Sequence, residues 1–128
     1  MSVRGIGIDI VAVARVDALL RRHGDRFLER CFRPGEVPAP GAGLPPASLA
    51  ARVAGRWAVK EAVLKALGGD LGAVPYRDIE VGRTPEGAPA VTLHGRAAAA
   101  LAARGGGRVL ASLSHERDHA VGLAVIAE

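Results

Sequence analysis

The sequence predicts an α+β domain in which a largely antiparallel sheet packs with one long helix and shorter helices. Three observations lead to this fold class. Apolar residues alternate with other residues in several short segments, the middle of the chain has strong helical propensity, and the second half contains strands joined by short turns. The segments follow the order β-α-α-β-β-α-β-β, and 128 residues correspond to a single domain, 1–128.

The first predicted element is a buried strand over residues 3–11. Alternation places three isoleucines on one face of this strand, and two glycines with a carboxylate on the other. The first face carries Ile6, Ile8 and Ile10, and the second carries Gly5, Gly7 and Asp9. The second face is therefore nearly bare of side chains.

A helix is predicted next, over residues 12–23, with Gly24 as its C-terminal stop. Its apolar face carries Val13, Val16 and Leu20. Residues 33–46 contain five of the eight prolines and are predicted to form one long loop inside the domain.

The longest helix is predicted over residues 48–67, with Ser48 as the N-cap and two glycines at its end. Segments 78–82 and 89–93 are predicted to form a hairpin around residues 84–87. An alanine-rich helix over residues 96–104 follows, and two more strands complete the domain. These strands cover residues 108–114 and 120–127.

The composition restricts the class of protein only loosely. A net charge of +4 and a pI near 10.2 suit nucleic acid, an anionic cofactor or an acidic protein partner. No zinc-ligand spacing or nucleic-acid-binding motif is present, so we expect no nucleic-acid partner. The sequence has no apolar run of membrane-spanning length and no signal-peptide pattern, and its one cysteine, Cys31, cannot form an internal disulfide. We therefore expect a cytoplasmic protein without a membrane partner.

The two lysines of the chain, Lys60 and Lys65, lie in one stretch of the long helix, whereas arginine occurs fifteen times. Glu61 and Lys65 are four residues apart and share a helix face, while Lys60 lies at the edge of that face. One interpretation is an ordinary exposed ion pair, which contributes a few tenths of a kcal/mol. However, an arginine would serve such a pair equally well. The choice of lysine, a compact ammonium, favours a tight anionic site.

Asp9 interrupts an apolar strand, and a buried carboxylate is costly unless it is paired or bound to a metal. One interpretation is that Asp9 ends the strand and caps the first helix, and the other is a ligand role. Gly5 and Gly7 favour the ligand role, because they leave room for a metal ion and phosphate oxygens. Magnesium typically takes one or two protein carboxylates, so Asp9 with Glu61 would be a sufficient protein contribution.

The segment SLSHERDH offers Ser112, Ser114 and His115 at a strand end, where functional residues are common, although a polar hairpin turn is the better explanation when the segment is taken alone. A Ser-His-Asp hydrolase is disfavoured, since the sequence has no G-x-S-x-G elbow. A P-loop nucleotide site and a dinucleotide-binding site are disfavoured as well, since neither a Walker motif nor a G-x-G-x-x-G fingerprint is present.

Five segments together resemble the holo-acyl-carrier-protein synthases, the small trimeric type within the 4′-phosphopantetheinyl transferase superfamily. They cover nearly the whole chain in order: GIGIDI (5–10), AGRWAVKEAVLKALG (54–68), YRDIEV (76–81), EGAP (86–89) and SLSHERDHAVGLAVIAE (112–128). The resemblance implies Mg²⁺-dependent transfer of the phosphopantetheine arm of coenzyme A to a serine of apo-acyl carrier protein, with release of adenosine 3′,5′-bisphosphate. It also implies a homotrimer with active sites at subunit interfaces.

The resemblance also implies roles for individual residues. Asp9 and Glu61 match the metal ligands and Lys65 matches a phosphate contact, which makes these three the candidate catalytic residues. The candidate coenzyme A site comprises Arg56, Lys60, Lys65, Gly68 and His115. The general base is left open between a metal-bound water and Glu61 acting through such a water. Two departures from the family pattern, Leu64 and Gly69, are given no role.

Acyl carrier proteins are acidic, so the resemblance gives the basic face of the first helix a docking role. At helical spacing its three candidate arginines lie close together: Arg15, Arg22 and Arg26. The alternative function is a non-catalytic trimeric module that binds coenzyme A or a nucleotide. The presence of both carboxylates with Lys65 favours the enzyme. The carrier is expected to serve fatty-acid synthesis, polyketide synthesis or both.

Overall fold

One long helix, α3 (Pro46–Ala66), forms the centre of the molecule. The computed structural model describes residues 2–38, 42–69 and 72–128. Alanines at positions 54, 58, 62 and 66 recur every four residues along α3, and all four are buried. This stripe of small side chains lets a sheet pack closely against the helix.

The sheet on α3 has three antiparallel strands in the order β1-β5-β4. They are β1 (Val3–Ala12), β4 (Arg108–His115) and β5 (His119–Ala127). Strand β5 lies in the middle, so β1 and β4 form the two edges. Asp9 therefore lies on one edge strand and His115 on the other, with Gly122 of β5 opposite Asp9.

The glycine face of β1 is occupied by the α3 backbone. A Cβ atom at Gly7 would overlap the carbonyl oxygen of Ala62, and one at Gly5 would overlap that of Ala66. Gly122 of β5 approaches the helix equally closely at Ala58. These glycines therefore permit close helix–sheet packing, and the room for metal and phosphate predicted beside Gly5 and Gly7 is absent.

The opposite face of β1 is exposed in the single chain, contrary to the prediction of a buried strand. Ile6, Ile8 and Ile10 are 66%, 61% and 65% exposed. The central strand adds partly buried apolar residues to the same face, because Val125 pairs with Ile6 and Leu123 pairs with Ile8. On β1 and β5 this face is thus apolar and at most partly covered by the chain itself, whereas the edge strand β4 adds Leu110 and two exposed serines, Ser112 and Ser114.

A separate antiparallel hairpin is formed by β2 (Ile79–Arg83) and β3 (Pro89–Leu93), preceded by one turn of 3-10 helix, Tyr76–Asp78. Its turn is closed by a hydrogen bond from the Thr84 N–H to the Ala88 carbonyl. Helix α4 (Gly95–Ala103) follows the hairpin. The predicted antiparallel character is confirmed, but the strands divide into two sheets.

Two further helices precede α3: α1 (Val13–His23) and α2 (Asp25–Cys31). Gly24 separates them with a φ of 49°, a conformation that glycine adopts easily. The predicted α+β fold and order are confirmed, with α2 as an additional short helix. Helix α3 begins at Pro46 rather than at an N-cap Ser48, because proline suits the first helical position.

The described part of the predicted 33–46 loop packs on the core through Val37 and the buried Glu36, while residues 39–41 of that loop lie outside the described residues. Among the helices of the described ranges, none combines the length and apolar character needed to cross a membrane.

Candidate active site

The structure pairs Asp9 of β1 with Lys65 in the last turn of α3. The Lys65 ammonium donates to Asp9 Oδ1 at 3.0 Å and to the Ile8 carbonyl at 2.9 Å. The Lys65 side chain is 53% exposed and that of Asp9 is 18% exposed. An ammonium has three donors, so Lys65 can anchor to β1 and still offer one donor to an anion in solvent.

Glu61 lies one turn before Lys65 on α3 and is held by Tyr76. The Tyr76 hydroxyl donates to Glu61 Oε1 at 2.5 Å. Burial, followed by this hydrogen bond, raises the pKa of Tyr76 well above its ordinary value, so the hydroxyl stays protonated and remains a donor. Sequence reasoning gave Tyr76 no role, although it is the only tyrosine in the chain.

Glu61 and Lys65 line one cavity of about 290 Å³, which confirms that they share a helix face. Leu64, Gly69 and Tyr76 also line it. The two departures from the family pattern thus line this cavity, one with an apolar side chain and the other with bare backbone.

The donor set of this site fits a hard cation. Asp9 Oδ1 accepts from Lys65 and Glu61 Oε1 accepts from Tyr76, whereas the second oxygen of each carboxylate accepts no hydrogen bond from the residues that the structure describes. Two carboxylates with free oxygens suit magnesium, which takes one or two carboxylates from the protein and other ligands from water and phosphate. Within the described ranges, no group of three or more acidic, histidine or cysteine side chains could hold a metal.

Lys60 does not line an accessible site, which contradicts its predicted place in the coenzyme A site. Its side chain is fully buried, and its ammonium reaches the Glu36 carboxylate at 3.0 Å, the Tyr76 carbonyl at 3.0 Å and the Ile79 carbonyl at 2.6 Å. Three acceptors use all three donors. Burial lowers the pKa of Lys60, and the neighbouring Glu36 opposes this effect.

Glu36 was not identified from the sequence, because it lies in a proline-rich segment that predicts a solvated loop. It is 5% exposed and accepts backbone hydrogen bonds from Arg33 at 2.7 Å and Val81 at 2.9 Å. The Glu36–Lys60 pair therefore fastens the loop, α3 and β2 together. No sequence signal indicated this buried ion pair.

Arg56 and His115 line a second, basic cavity of about 180 Å³. Arg52 and Arg83 also contribute to it, while Arg56 Nη1 donates to the Val81 carbonyl at 3.3 Å. Burial, together with Arg83, lowers the pKa of Arg56, although a guanidinium stays charged at neutral pH. Three arginines and a histidine suit a phosphate group.

The basic cavity shares no lining residue with the cavity of Glu61 and Lys65. Gly68 lines neither of them and ends α3 with a φ of 123°, its N–H donating to the Lys65 carbonyl at 3.1 Å. The residues predicted to bind coenzyme A therefore do not share one cavity: Arg56 and His115 line the basic cavity, and Lys65 lines the other.

The three candidate docking arginines are exposed, but they do not share one helix. Arg15 and Arg22 lie on α1, whereas Arg26 lies on α2 beyond the break at Gly24. A cavity of about 430 Å³ between these helices is lined by Leu19, His23, Arg26, Phe27 and Arg30. The predicted single basic face is therefore divided between two helices, and of its three arginines only Arg26 lines this cavity.

The sequence model of the 4′-phosphopantetheinyl transferase superfamily matches residues 5–124. The chain belongs to this superfamily. It is 47% identical over 123 residues to the holo-[acyl-carrier-protein] synthase of Nitratidesulfovibrio vulgaris, covering 95% of this chain and 96% of that protein. The resemblance to the synthases is thereby confirmed, and the chain is a phosphopantetheinyl transferase.

Solved structures of synthases agree with this assignment. The synthase of Helicobacter pylori in complex with coenzyme A has a TM-score of 0.77 and 31% identity, covering 95% of this chain and 99% of that one. The coenzyme A complex of the Chronobacterium ammoniagenes synthase has a TM-score of 0.82 and 30% identity, covering 99% and 98%. The fold and the enzyme class therefore rest on sequence and structure together.

Proposed function

We propose that the chain transfers the 4′-phosphopantetheine arm of coenzyme A to a serine of apo-acyl carrier protein, in a magnesium-dependent reaction that releases adenosine 3′,5′-bisphosphate. The observation that carries the proposal is the grouping of Asp9, Glu61 and Lys65 where β1 meets the end of α3. Two carboxylates beside one ammonium suit a pyrophosphate with its metal ion. A site that only bound coenzyme A would hardly need the carboxylates.

In the proposed reaction the serine oxygen forms a bond to the phosphorus that carries the pantetheine arm. The bond from that phosphorus to the bridging oxygen breaks, the serine proton passes to a water molecule, and the bisphosphate leaves with the electron pair. Phosphoryl transfer of this kind depends mainly on positioning and charge neutralisation. Lys65 neutralises charge on the leaving group, and its bond to the Ile8 carbonyl fixes the direction from which the ammonium approaches.

Magnesium, held by Asp9 and Glu61, would supply Lewis-acid neutralisation of the pyrophosphate oxygens. Glu61 is oriented by Tyr76, and Asp9 is oriented by Lys65. Hydrogen bonds within the protein therefore orient both carboxylates.

We propose that the complete site forms in a homotrimer. The basic cavity of Arg56 and His115 on one subunit would join the Glu61–Lys65 cavity of a neighbour, which explains why the two cavities share no residue. The exposed apolar face of β1, on which Ile8 lies between Ile6 and Ile10, supports self-association, because monomers rarely expose large contiguous apolar patches.

Sedimentation velocity tests this assembly. The parent protein is expected to sediment as a trimer, and Ile8→Glu is expected to shift it towards monomer with loss of transfer. Ala102→Glu introduces the same charge at an exposed position of α4 and should leave the assembly intact. A parent protein that sediments as a monomer would contradict the proposal.

The acidic carrier is proposed to dock along Arg15, Arg22 and Arg26, which are exposed on α1 and α2. Arg15 lies over the Trp57 ring at 5.2 Å, which orients its guanidinium on the surface. Gly68 is proposed to let the coenzyme approach the end of α3, because it carries no side chain. The carrier class is tested by offering carriers of fatty-acid and polyketide synthesis side by side.

Mass spectrometry of an apo-carrier incubated with coenzyme A and magnesium tests the activity directly. We expect the carrier to gain the mass of the phosphopantetheine arm. Glu61→Gln should abolish the gain without unfolding the protein, and Glu86→Gln, a matched change in the exposed hairpin turn, should not affect it. Binding of coenzyme A without transfer under every metal condition would favour a non-catalytic module.

A further inference from the structure

We propose that Tyr76 is a positioning residue that orients the Glu61 carboxylate for the metal ion, and that the buried Glu36–Lys60 pair holds Tyr76 in place. This inference rests on the proposed function, because it assigns Glu61 as a metal ligand. Tyr76 contacts neither the substrate nor the metal in this proposal, and it acts through the carboxylate of Glu61.

The direct contact is the hydrogen bond from the Tyr76 hydroxyl to Glu61 Oε1 at 2.5 Å. A free glutamate side chain samples several rotamers, and fixing it costs conformational entropy when a ligand binds. Tyr76 fixes this carboxylate before the metal arrives. It also occupies one oxygen only, which leaves Oε2 for the metal.

The Tyr76 ring is fixed by an edge-to-face contact with Trp57, with centroids 6.1 Å apart and planes inclined by 72°. Trp57 in turn packs against Phe27 at 5.5 Å, and Phe27 against Phe32 at 6.4 Å. All four aromatic side chains of the protein thus form one row that ends at Glu61. A row of rigid rings gives the hydroxyl a defined position.

The backbone of Tyr76 is fixed from the opposite direction by Lys60. The buried ammonium donates to the Tyr76 and Ile79 carbonyls, and Glu36 binds both this ammonium and the Val81 N–H. Lys60 and Glu61 are consecutive residues of α3. One helical turn therefore carries the ligand and also the cation that holds the positioning residue of that ligand.

Tyr76→Phe tests the inference, because it removes the hydroxyl and keeps the ring against Trp57. Calorimetric titration of magnesium into the protein saturated with coenzyme A, without carrier, should show the affinity reduced about tenfold or more, as is typical when a group that orients a metal ligand is lost. The magnesium concentration for half-maximal transfer should rise by a similar factor. The kcat at saturating magnesium should stay within about threefold, since added metal compensates for weaker binding.

Ile126→Val is the control, since it removes a methyl group from a fully buried side chain that does not belong to the aromatic row. It should lower the unfolding temperature but leave the magnesium affinity unchanged. A Tyr76→Phe protein whose magnesium affinity and half-maximal concentration lie within twofold of the parent overturns the inference, and so does a loss confined to kcat. A parent protein that transfers without magnesium overturns the assignment of Glu61 as a metal ligand, and this inference with it.

Discussion

Replacing Lys60 by methionine would leave the Glu36 carboxylate buried without its cation. The two side chains are 0% and 1% exposed, so water cannot replace the lost ammonium. The Tyr76 and Ile79 carbonyls would lose a donor as well. Removing one partner of a buried ion pair typically costs about 3–5 kcal/mol, because an uncompensated charge remains.

Two features of the site adjust this magnitude in opposite directions. Glu36 would keep its backbone donors at Arg33 and Val81, which offset part of the loss. The buried Ile79 carbonyl loses the Lys60 donor, which adds up to about 1–3 kcal/mol, whereas the Tyr76 carbonyl keeps the Ile79 N–H as a donor. We therefore expect Lys60→Met to lower the free energy of unfolding by at least about 3 kcal/mol, a large share of the roughly 5–15 kcal/mol of a typical domain.

Equilibrium unfolding in urea at neutral pH measures this loss. Lys65→Met is a matched control on the same helix, because its ion pair with Asp9 is half exposed, and we expect it to cost below about 1 kcal/mol. The double change Glu36→Gln with Lys60→Met should recover much of the loss, since it leaves no buried charge. A Lys60→Met loss no larger than that of Lys65→Met would refute the reasoning.

Three further predictions concern the active site, the docking surface and the packing of the sheet. Lys65→Arg should lower kcat/KM for transfer at least about tenfold despite its charge, because a planar guanidinium cannot place one donor at the same point; parental kinetics would show that the ammonium is not required. Arg22→Glu should raise the KM for the carrier several-fold, weaken the salt dependence and leave the KM for coenzyme A unchanged, and an unchanged carrier KM would remove Arg22 from the docking surface. Gly7→Ala should cost at least about 1–3 kcal/mol in urea unfolding, because its Cβ would overlap the Ala62 carbonyl; Gly72→Ala, which meets open space, should cost far less, and equal losses would contradict the packing argument.

Helical periodicity was sufficient to predict that Glu61 and Lys65 share a face of α3, since both line one cavity. It could not predict the surroundings of Lys60, because an angle around a helix axis does not indicate what covers that side. Glu36 covers it from a loop more than twenty residues earlier, and a loop has no periodicity to extrapolate. The same lack of a pattern explains why Tyr76, brought to Glu61 by a single turn of 3-10 helix, was given no role.

Alternation in β1 predicted two distinct faces correctly, but the strand as a whole was predicted to be buried, with open space beside its glycines. The ordinary expectation is that isoleucines face the core and glycines face away from it. Here Gly5 and Gly7 face α3, since only a residue without a side chain allows the two backbones to approach so closely. The isoleucines Ile6 and Ile8 are then left exposed, on the surface through which we propose that copies of the chain associate.

The use of lysine at positions 60 and 65, in a chain that otherwise relies on arginine, has a geometric explanation at both positions. At Lys60 three acceptors converge on one ammonium within a buried space. A guanidinium would bring five donors in a fixed plane and leave some of them unsatisfied. At Lys65 two acceptors anchor the ammonium at the edge of β1 and one donor remains for a phosphate. The rarity of lysine thus indicates places where a compact cation is required, but only burial distinguishes the lysine that stabilises the fold from the one proposed to take part in the reaction.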